Sequence, residues 1–529
     1  MIKVALPVND ASGFCWFSNE NVFVKGYLFT QDGTLYDKAA LSGYFSRITG
    51  RDDFLSRLKG VTGLFSVVVL QGEELFAATD VVRTFPLFYR MNGDTFHISD
   101  TPSLLLGEEE PLSLNSRSVL QFESIGYVLG RDTLLNELYQ LQAQEVLFFD
   151  GKEIKRLFYE RERRTTSVCN RMQLKSDFRQ MLSLLSDRLV KLLDGRPVLL
   201  PLSGGYDSRL LAWMLKETGY ENVLCFTYGF SDTSEKENAQ KSAEALGFRW
   251  LFIDYSEYLG QDVTASEKFR EWIRFTSNYS SFFYFQEYLA AYHLKMKGLA
   301  AENAVFIPGH SADGVAGNFL ISGMEEMSEL ESFVRYASMK NANLRSLNRH
   351  EREMLNEDIT ATMLCYKGRD KVDYTLYEKW QTRERQAKQI VNSSKIWDFF
   401  GHQYALPFWD ELFTSFFDSL PYSYKINKNF YIEAVNELFS EKGISFDSVL
   451  RPVRFAEKKQ RLKFWLTKFS FLHPFLLRRN LWGCDIAHFR EFFGAICLDL
   501  ERAERYKKIL QQNGILSAWY LLYIEGKVT

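Results

Sequence analysis

Two rhythms of apolar residues divide this chain. Up to about residue 155, short apolar runs at 22–29, 64–70, 75–79, 87–90 and 145–149 alternate with Gly, Asp and Asn turns, the pattern of a β-rich unit. From about 175 the rhythm changes. A helix over 174–193 precedes a strand over 198–202. A helix with Leu210, Leu211, Met214 and Leu215 on its apolar face follows and stops at Gly219. Then come a strand over 223–227 that ends at Gly229, a helix over 235–246, a strand over 250–253, a long helical region and a strand over 304–308. Such alternation predicts a parallel sheet covered on both faces, with ligands at the carboxyl ends of its strands. Residues 325–450 read as mostly helical. The chain shows no internal repeat and no low-complexity tract.

Bulk properties narrow the classes. At 529 residues the chain is too long for one core, so two or three domains are expected. Hydrophobic residues make up 46% and aromatic ones 16%, which describes a globular chain with much to bury. A formal charge of −3 argues against a general nucleic-acid binder. The six cysteines are scattered without a Cys-x-x-Cys pair, so a zinc site is not expected and a reducing compartment is. No basic region followed by a long apolar run opens the sequence, and no stretch approaches a membrane span; a cytoplasmic location is the expectation.

The candidate chemistry sits where the first parallel strand ends. Leu202, Ser203, Gly204, Gly205, Tyr206, Asp207 and Ser208 form a glycine-rich turn between strand and helix. There, backbone N–H groups and a positive helix N-terminus can close on an anion. Ser203 and Ser208 add hydroxyl donors. Asp207 puts a carboxylate beside phosphates, a place it suits only through a divalent cation. No Lys ends the loop, so it is not the Gly-x-x-x-x-Gly-Lys-Ser/Thr phosphate loop. It resembles instead the Ser-Gly-Gly-x-Asp-Ser pyrophosphate loop (PP-loop) of ATP pyrophosphatases, which split ATP between the α and β phosphates. A second small-residue turn follows the 304–308 strand: Gly309, His310, Ser311, Ala312, Asp313 and Gly314. Asp207 and Asp313, both at strand ends, are the expected ligands of Mg²⁺.

A third stretch, Pro407-Phe408-Trp409-Asp410, precedes Lys425-Ile426-Asn427-Lys428. With these motifs in order, the chain resembles the asparagine synthetase family, including its relative β-lactam synthetase. Leu58-Lys59-Gly60 and residues 78–89 resemble motifs of that family's N-terminal domain, so the resemblance covers roughly residues 20–450. It implies an α/β and α+β protein of two domains. Residues 1–155 would be a degenerate class II glutamine amidotransferase-like domain, an Ntn-hydrolase-like αββα sandwich. A linker over 156–174 would follow, then a PP-loop ATP pyrophosphatase domain over 175–454, a parallel sheet of the adenine nucleotide α-hydrolase-like type with added helices. A helical extension would occupy 455–529. It further implies ATP on Leu202, Ser203, Gly204, Gly205, Asp207, Ser208 and Gly309, with adenine edged by backbone around Thr227, Tyr228 and Gly229. Lys428 takes the position of the family's catalytic lysine. His310 stands where the family carries Glu or Tyr, and is either a proton-transfer group or a hydrogen-bonding one.

The departures shape the functional expectation. The family's glutaminase domain begins with a nucleophilic Cys; here Ile2 follows Met1, so no glutaminase activity is expected. His310, Gly314, Gln403 and Ala405 replace residues that would hold aspartate. The expected enzyme is therefore an AMP- and pyrophosphate-forming amide ligase with ATP and Mg²⁺. It would adenylate a small-molecule or saccharide carboxylate and pass it to ammonia or an amine, with nitrogen supplied free or by a separate glutaminase. The surface-polysaccharide members of the family suggest a sugar acid. Two rival readings are a tRNA- or nucleotide-modifying ATP pyrophosphatase and a non-catalytic nucleotide-binding scaffold. Finally, residues 455–480 carry seven basic residues among aromatics. They read either as a helix packed on the domain or as a peripheral membrane contact.

Overall fold

The computed structural model describes the chain except residues 8–10, 108–111, 161–169, 231–233, 262, 264, 369, 442–480, 482–488, 493–503 and 528–529. The basic aromatic stretch 455–480 and most of the expected linker therefore lie outside the described residues.

The first eleven strands are β1 (Ile2–Ala5), β2 (Phe17–Asn19), β3 (Val22–Thr30), β4 (Leu35–Asp37), β5 (Val61–Gln71), β6 (Glu74–Thr79), β7 (Phe88–Asn92), β8 (Thr95–Ser99), β9 (Tyr139–Gln140), β10 (Glu145–Phe149) and β11 (Ile154–Phe158). They form two sheets. One has the order β1-β8-β7-β9; the other has β11-β10-β6-β5-β3-β2, with β4 added on β3. Alternating residues explain the layering. Val68, Ala77 and Leu147 face Tyr89, Phe96 and Ile98 between the sheets. Val67, Ala78 and Val146 face the other way, onto Leu41 and Phe45 of the helix Lys38–Phe45 and Phe54 and Leu58 of the helix Arg51–Lys59. Outside the smaller sheet Phe88 packs with Leu105, Leu135 and Leu138, from the short 3₁₀ turn Pro102–Leu105 and a loop. Helix, sheet and sheet are thus three layers.

The remaining strands are β12 (Val198–Pro201), β13 (Val223–Gly229), β14 (Arg249–Asp254), β15 (Val305–Phe306) and β16 (Gln403–Tyr404). They make one parallel sheet in the order β14-β13-β12-β15-β16. Both faces are buried, which is why these strands read as unbroken apolar runs. Leu199, Phe226, Ile253 and Phe306 point into one core; Val198, Leu200, Cys225 and Val305 point into another. The strand order reverses between β12 and β15, and the crevice above that reversal is where the chain opens.

The two units share a core. Phe14, Tyr27, Phe29, Leu64 and Phe85 belong to the same apolar cluster as Phe226, Trp272 and Trp397. The helix Gln512–Ile524 enters it too, through Ile515, Leu516, Trp519 and Tyr520. Polar contacts reinforce the seam. Asp398 accepts from the backbone N–H of Phe14 at 2.8 Å. The fully buried Lys388–Glu384 ion pair (2.7 Å) also donates to the carbonyls of Val128 and Gly130.

Candidate functional site

The first loop is built by its own serines. The backbone N–H of Ser203 donates to the Ser208 hydroxyl at 3.0 Å, the two hydroxyls lie 3.0 Å apart, and Gly205 N–H donates to Ser203 Oγ at 3.1 Å. Arg209 Nε holds the Gly205 carbonyl at 3.0 Å. The strand-to-helix turn brings residues 203 and 208 together, so these hydroxyls brace the loop instead of standing free as donors. The helix Tyr206–Glu217 starts here, with Gly205 at its N-cap. Its far end closes at Gly219, whose φ is +70°.

The second loop leaves β15 and crosses directly over the first. A Cβ on Gly309 would sit 2.4 Å from Ser208 Cα, so only glycine permits this approach. The loop then places Asp313 against Asp207: the backbone N–H of Asp313 donates to Asp207 Oδ2 at 3.1 Å. Tyr431 OH donates to Asp207 Oδ1 at 2.9 Å. Burial, and then the charge of Asp313, hold the Asp207 carboxyl up at about 7. Two carboxylates in one place favour a cation between them.

Lys428 supplies one positive charge: its Nζ lies 3.4 Å from Asp313 Oδ2, to which Asn318 Nδ2 also donates at 2.8 Å. Its position is set by a second close approach. Gly317 (φ +105°) lets the turn after Asp313 lie on the backbone of Lys425, where a Cβ would come within 2.3 Å of the carbonyl oxygen. Of the two lysines in this stretch, Lys425 is buried in an ion pair with Glu378 at 2.7 Å. Lys428 is the one facing the carboxylates. Ser311, Asn427 and Lys428 all hold positive φ without being glycine, and such strain collects at working sites.

Beside the loops lies a cavity of about 220 Å³ above the ends of β12, β13 and β15. Leu202, Ser203, Thr227, Tyr228, Gly229, Gly309 and His310 line it, with Glu287 and Trp397. Gly204, Gly205, Asp207 and Ser208 lie in the adjoining loop; they are not part of the cavity wall. His310 has both ring nitrogens engaged, Nδ1 with Ser311 Oγ at 2.8 Å and Nε2 with Ser394 Oγ at 2.9 Å. Burial pushes its pKa down to about 4. Burial thus favours the neutral ring, and its two engaged nitrogens fit the hydrogen-bonding reading of His310.

Among the described residues no group of three or more His, Cys, Asp or Glu stands ready to hold an ion. Two carboxylates beside a phosphate loop nonetheless fit Mg²⁺, which takes one or two carboxylates and completes its shell with phosphate oxygens and water. The third motif lies elsewhere. Asp410 caps the helix Glu411–Ser419 and pairs with Arg188 at 2.7 Å, next to Tyr27 and Phe29 of the N-terminal unit. Pro407 and Trp409 thus lie at the interface, while Phe408 packs into the core of the parallel-sheet unit.

Sequence reading passed over Tyr431, Ser394, Trp397 and Glu287. Tyr431 lies three residues after Lys428, in the first turn of the helix Asn429–Ser440, close in sequence to a residue already singled out. The others converge only through the fold.

Comparison with known proteins adds the following. The family model described as asparagine synthase matches residues 180–439. Among solved structures, the NH3-dependent NAD synthetase from Campylobacter jejuni subsp. jejuni NCTC 11168, in complex with nitrate ion, is 16% identical at a TM-score of 0.22, covering 42% of this chain and 96% of that one. The glutamine phosphoribosylpyrophosphate amidotransferase from B. subtilis, complexed with ADP and GMP, is 12% identical at a TM-score of 0.18, covering 56% and 63%. A structure titled the allosteric regulatory enzyme of purine biosynthesis is 13% identical at a TM-score of 0.17, covering 55% and 56%. No curated protein sequence matches the chain.

Proposed function

Residues 180–439 are an asparagine synthase-family domain, and from that premise we propose that the chain is an ATP-dependent, AMP-forming carbon–nitrogen ligase. The observation that carries the reading is the convergence of Asp207, Asp313, Lys428 and Tyr431 beside the loop 203–208. Burial and the charge of Asp313 raise the Asp207 carboxyl, a cost that a bound cation would relieve, and Lys428 stands beside the pair as a further positive charge.

In this reading the adenosine of ATP enters the cavity between Leu202, Thr227–Gly229 and Gly309, and its phosphates lie along residues 203–208. Asp207 and Asp313 would hold Mg²⁺, which when bound supplies charge screening for the departing pyrophosphate. A substrate carboxylate oxygen attacks the α-phosphorus, the bond to the β-phosphate oxygen breaks, and an acyl-adenylate and pyrophosphate result. Ammonia or an amine then attacks the acyl carbon; AMP leaves, and the nitrogen loses a proton. Lys428 stabilises the negative charge that develops in each step. Tyr431 holds the Asp207 carboxylate in place, and His310, neutral at pH 7, orients the loop through its two serines.

The N-terminal unit we take to be a non-hydrolytic relative of the class II glutaminase fold. Its two facing sheets and helical layer support this. The amine of its internal Cys15 is locked in a peptide bond, so that thiol has no α-amine to serve as its base. The sugar-acid expectation rests on resemblance alone, since Pro407–Trp409 does not touch the cavity.

One assay tests these points together. The purified protein, given Mg-ATP, ammonium and a panel of carboxylic acids including uronic acids, should release AMP and pyrophosphate with the acid it uses. Glutamine in place of ammonium should yield no glutamate. Asp207→Asn and Asp313→Asn should each lower turnover by about 100-fold or more. Turnover unaffected by both substitutions, or glutamate release, would contradict the reading.

A further inference from the structure

The loop over residues 203–208 has its carbonyl groups engaged from within and keeps one backbone donor unused. The Ser203 carbonyl accepts from Ser208 Oγ at 3.4 Å. The Gly205 carbonyl accepts from Arg209 Nε at 3.0 Å, and the Gly204 carbonyl accepts from Arg209 Nη2. The N–H groups of Ser203 and Gly205 donate within the loop, to Ser208 and Ser203. The N–H of Gly204 has no hydrogen-bond partner among the described residues. One buried arginine therefore holds two successive peptide planes of the loop. The same guanidinium lies over the Tyr206 ring, 5.7 Å from its centre. That ring meets Tyr431 edge-on with 6.4 Å between centres, and the Tyr431 hydroxyl donates to Asp207.

Resting on the reading of this loop as a phosphate loop, we infer that Arg209 is a positioning residue for pyrophosphate, holding the Gly204 and Gly205 carbonyls on the protein side so that the Gly204 N–H is left for the anion. A carbonyl oxygen carries partial negative charge, and one turned toward a phosphate would repel it. The planar fork of a guanidinium presents several donors in fixed directions and can hold two carbonyls at once; an ammonium is a point charge without that geometry. With the carbonyls held, the loop offers a phosphate its free N–H and the positive end of the helix Tyr206–Glu217. Arg209 acts through the loop and needs no contact with the nucleotide. Burial lowers its pKa to about 10, so the side chain is still charged at pH 7 and adds its attraction from behind. Through Tyr206 and Tyr431 it also braces the residue that holds Asp207.

The test is calorimetric binding of Mg-pyrophosphate and, separately, of adenosine to the full chain at pH 7, comparing wild type with Arg209→Lys and Arg209→Gln. Lysine keeps the charge and loses the fork. Arg209→Lys should therefore bind Mg-pyrophosphate about 10-fold or more weakly, the scale of one lost hydrogen bond to a charged group. Its affinity for adenosine, which carries no phosphate, should be unchanged. Arg209→Gln loses the charge as well and should lose at least as much pyrophosphate affinity; if it does not fold, the Arg209→Lys comparison decides alone. Equal losses for both ligands in Arg209→Lys would make Arg209 a general support of the fold. Wild-type pyrophosphate affinity in Arg209→Lys would mean that charge alone matters. Either result overturns the inference while nucleotide binding by the wild-type chain stands. Failure of the wild-type chain to bind either ligand would overturn the nucleotide reading, and the inference with it.

Discussion

At the scale of the residue, His310 separates orientation from proton transfer most sharply. Its pKa near 4 comes from burial, and its two nitrogens are taken by Ser311 and Ser394. The unfolded chain binds a proton on this ring near 6.5. The stability that neutral His310 contributes is therefore fully present above about pH 6.5 and is lost as pH falls toward 4. Two outcomes follow for His310→Gln. Its melting temperature should fall less steeply than the wild type's between pH 6.5 and 4.5, read by calorimetry. Its amide-forming turnover should stay within about 10-fold of wild type, since an amide can also bridge two hydroxyls; a proton-transfer role would cost 100-fold or more. The sequence put His310 at the site because it follows a strand and Gly309. It did not show the ring's surroundings, because Ser394 arrives from 84 residues away.

At the scale of the element, glycines decide how closely the loops approach. Gly317 is the sharper case, because its φ of +105° and the Lys425 carbonyl both exclude a side chain. Gly317→Ala should push the Lys425–Lys428 stretch away from Asp313, so substrate-dependent AMP formation should fall by about 100-fold or more while Mg-ATP still binds at the first loop. Equal loss of ATP binding and turnover would mean that the stretch serves the first loop instead. Strands β12, β13 and β14 were legible because buried parallel strands are unbroken apolar runs. The chain order of β12 to β15 was legible too, but not the sheet's right half: β16 is two residues long, too short to carry a period. The asparagine synthetase resemblance brought Asp410 and its motif to notice, and the fold shows them to be a helix cap at the seam between the units. Likeness of a motif does not fix which surface it serves.

At the scale of the whole molecule, one apolar cluster runs from Phe14 and Phe85 through Phe226 and Trp397 to Trp519. Units that share a core in this way should unfold together. Calorimetry should show a single transition for the full chain, and two resolved transitions would contradict the shared core. This continuity was hidden from the sequence, in which residues 1–155 and the segment from 175 read as separate rhythms; contacts such as Phe14 with Asp398 span 384 residues. Among the described residues no helix is long and apolar enough to cross a membrane. The central claim, that a carboxylate is adenylated before nitrogen attacks, is tested most directly by isotope transfer. The accepted acid, labelled with ¹⁸O in its carboxylate, is turned over with Mg-ATP and ammonium, and the nucleotide product is read by mass spectrometry. The account requires AMP carrying one ¹⁸O, left behind when the acyl–oxygen bond breaks. Label in inorganic phosphate, with ADP as the nucleotide product, would contradict it.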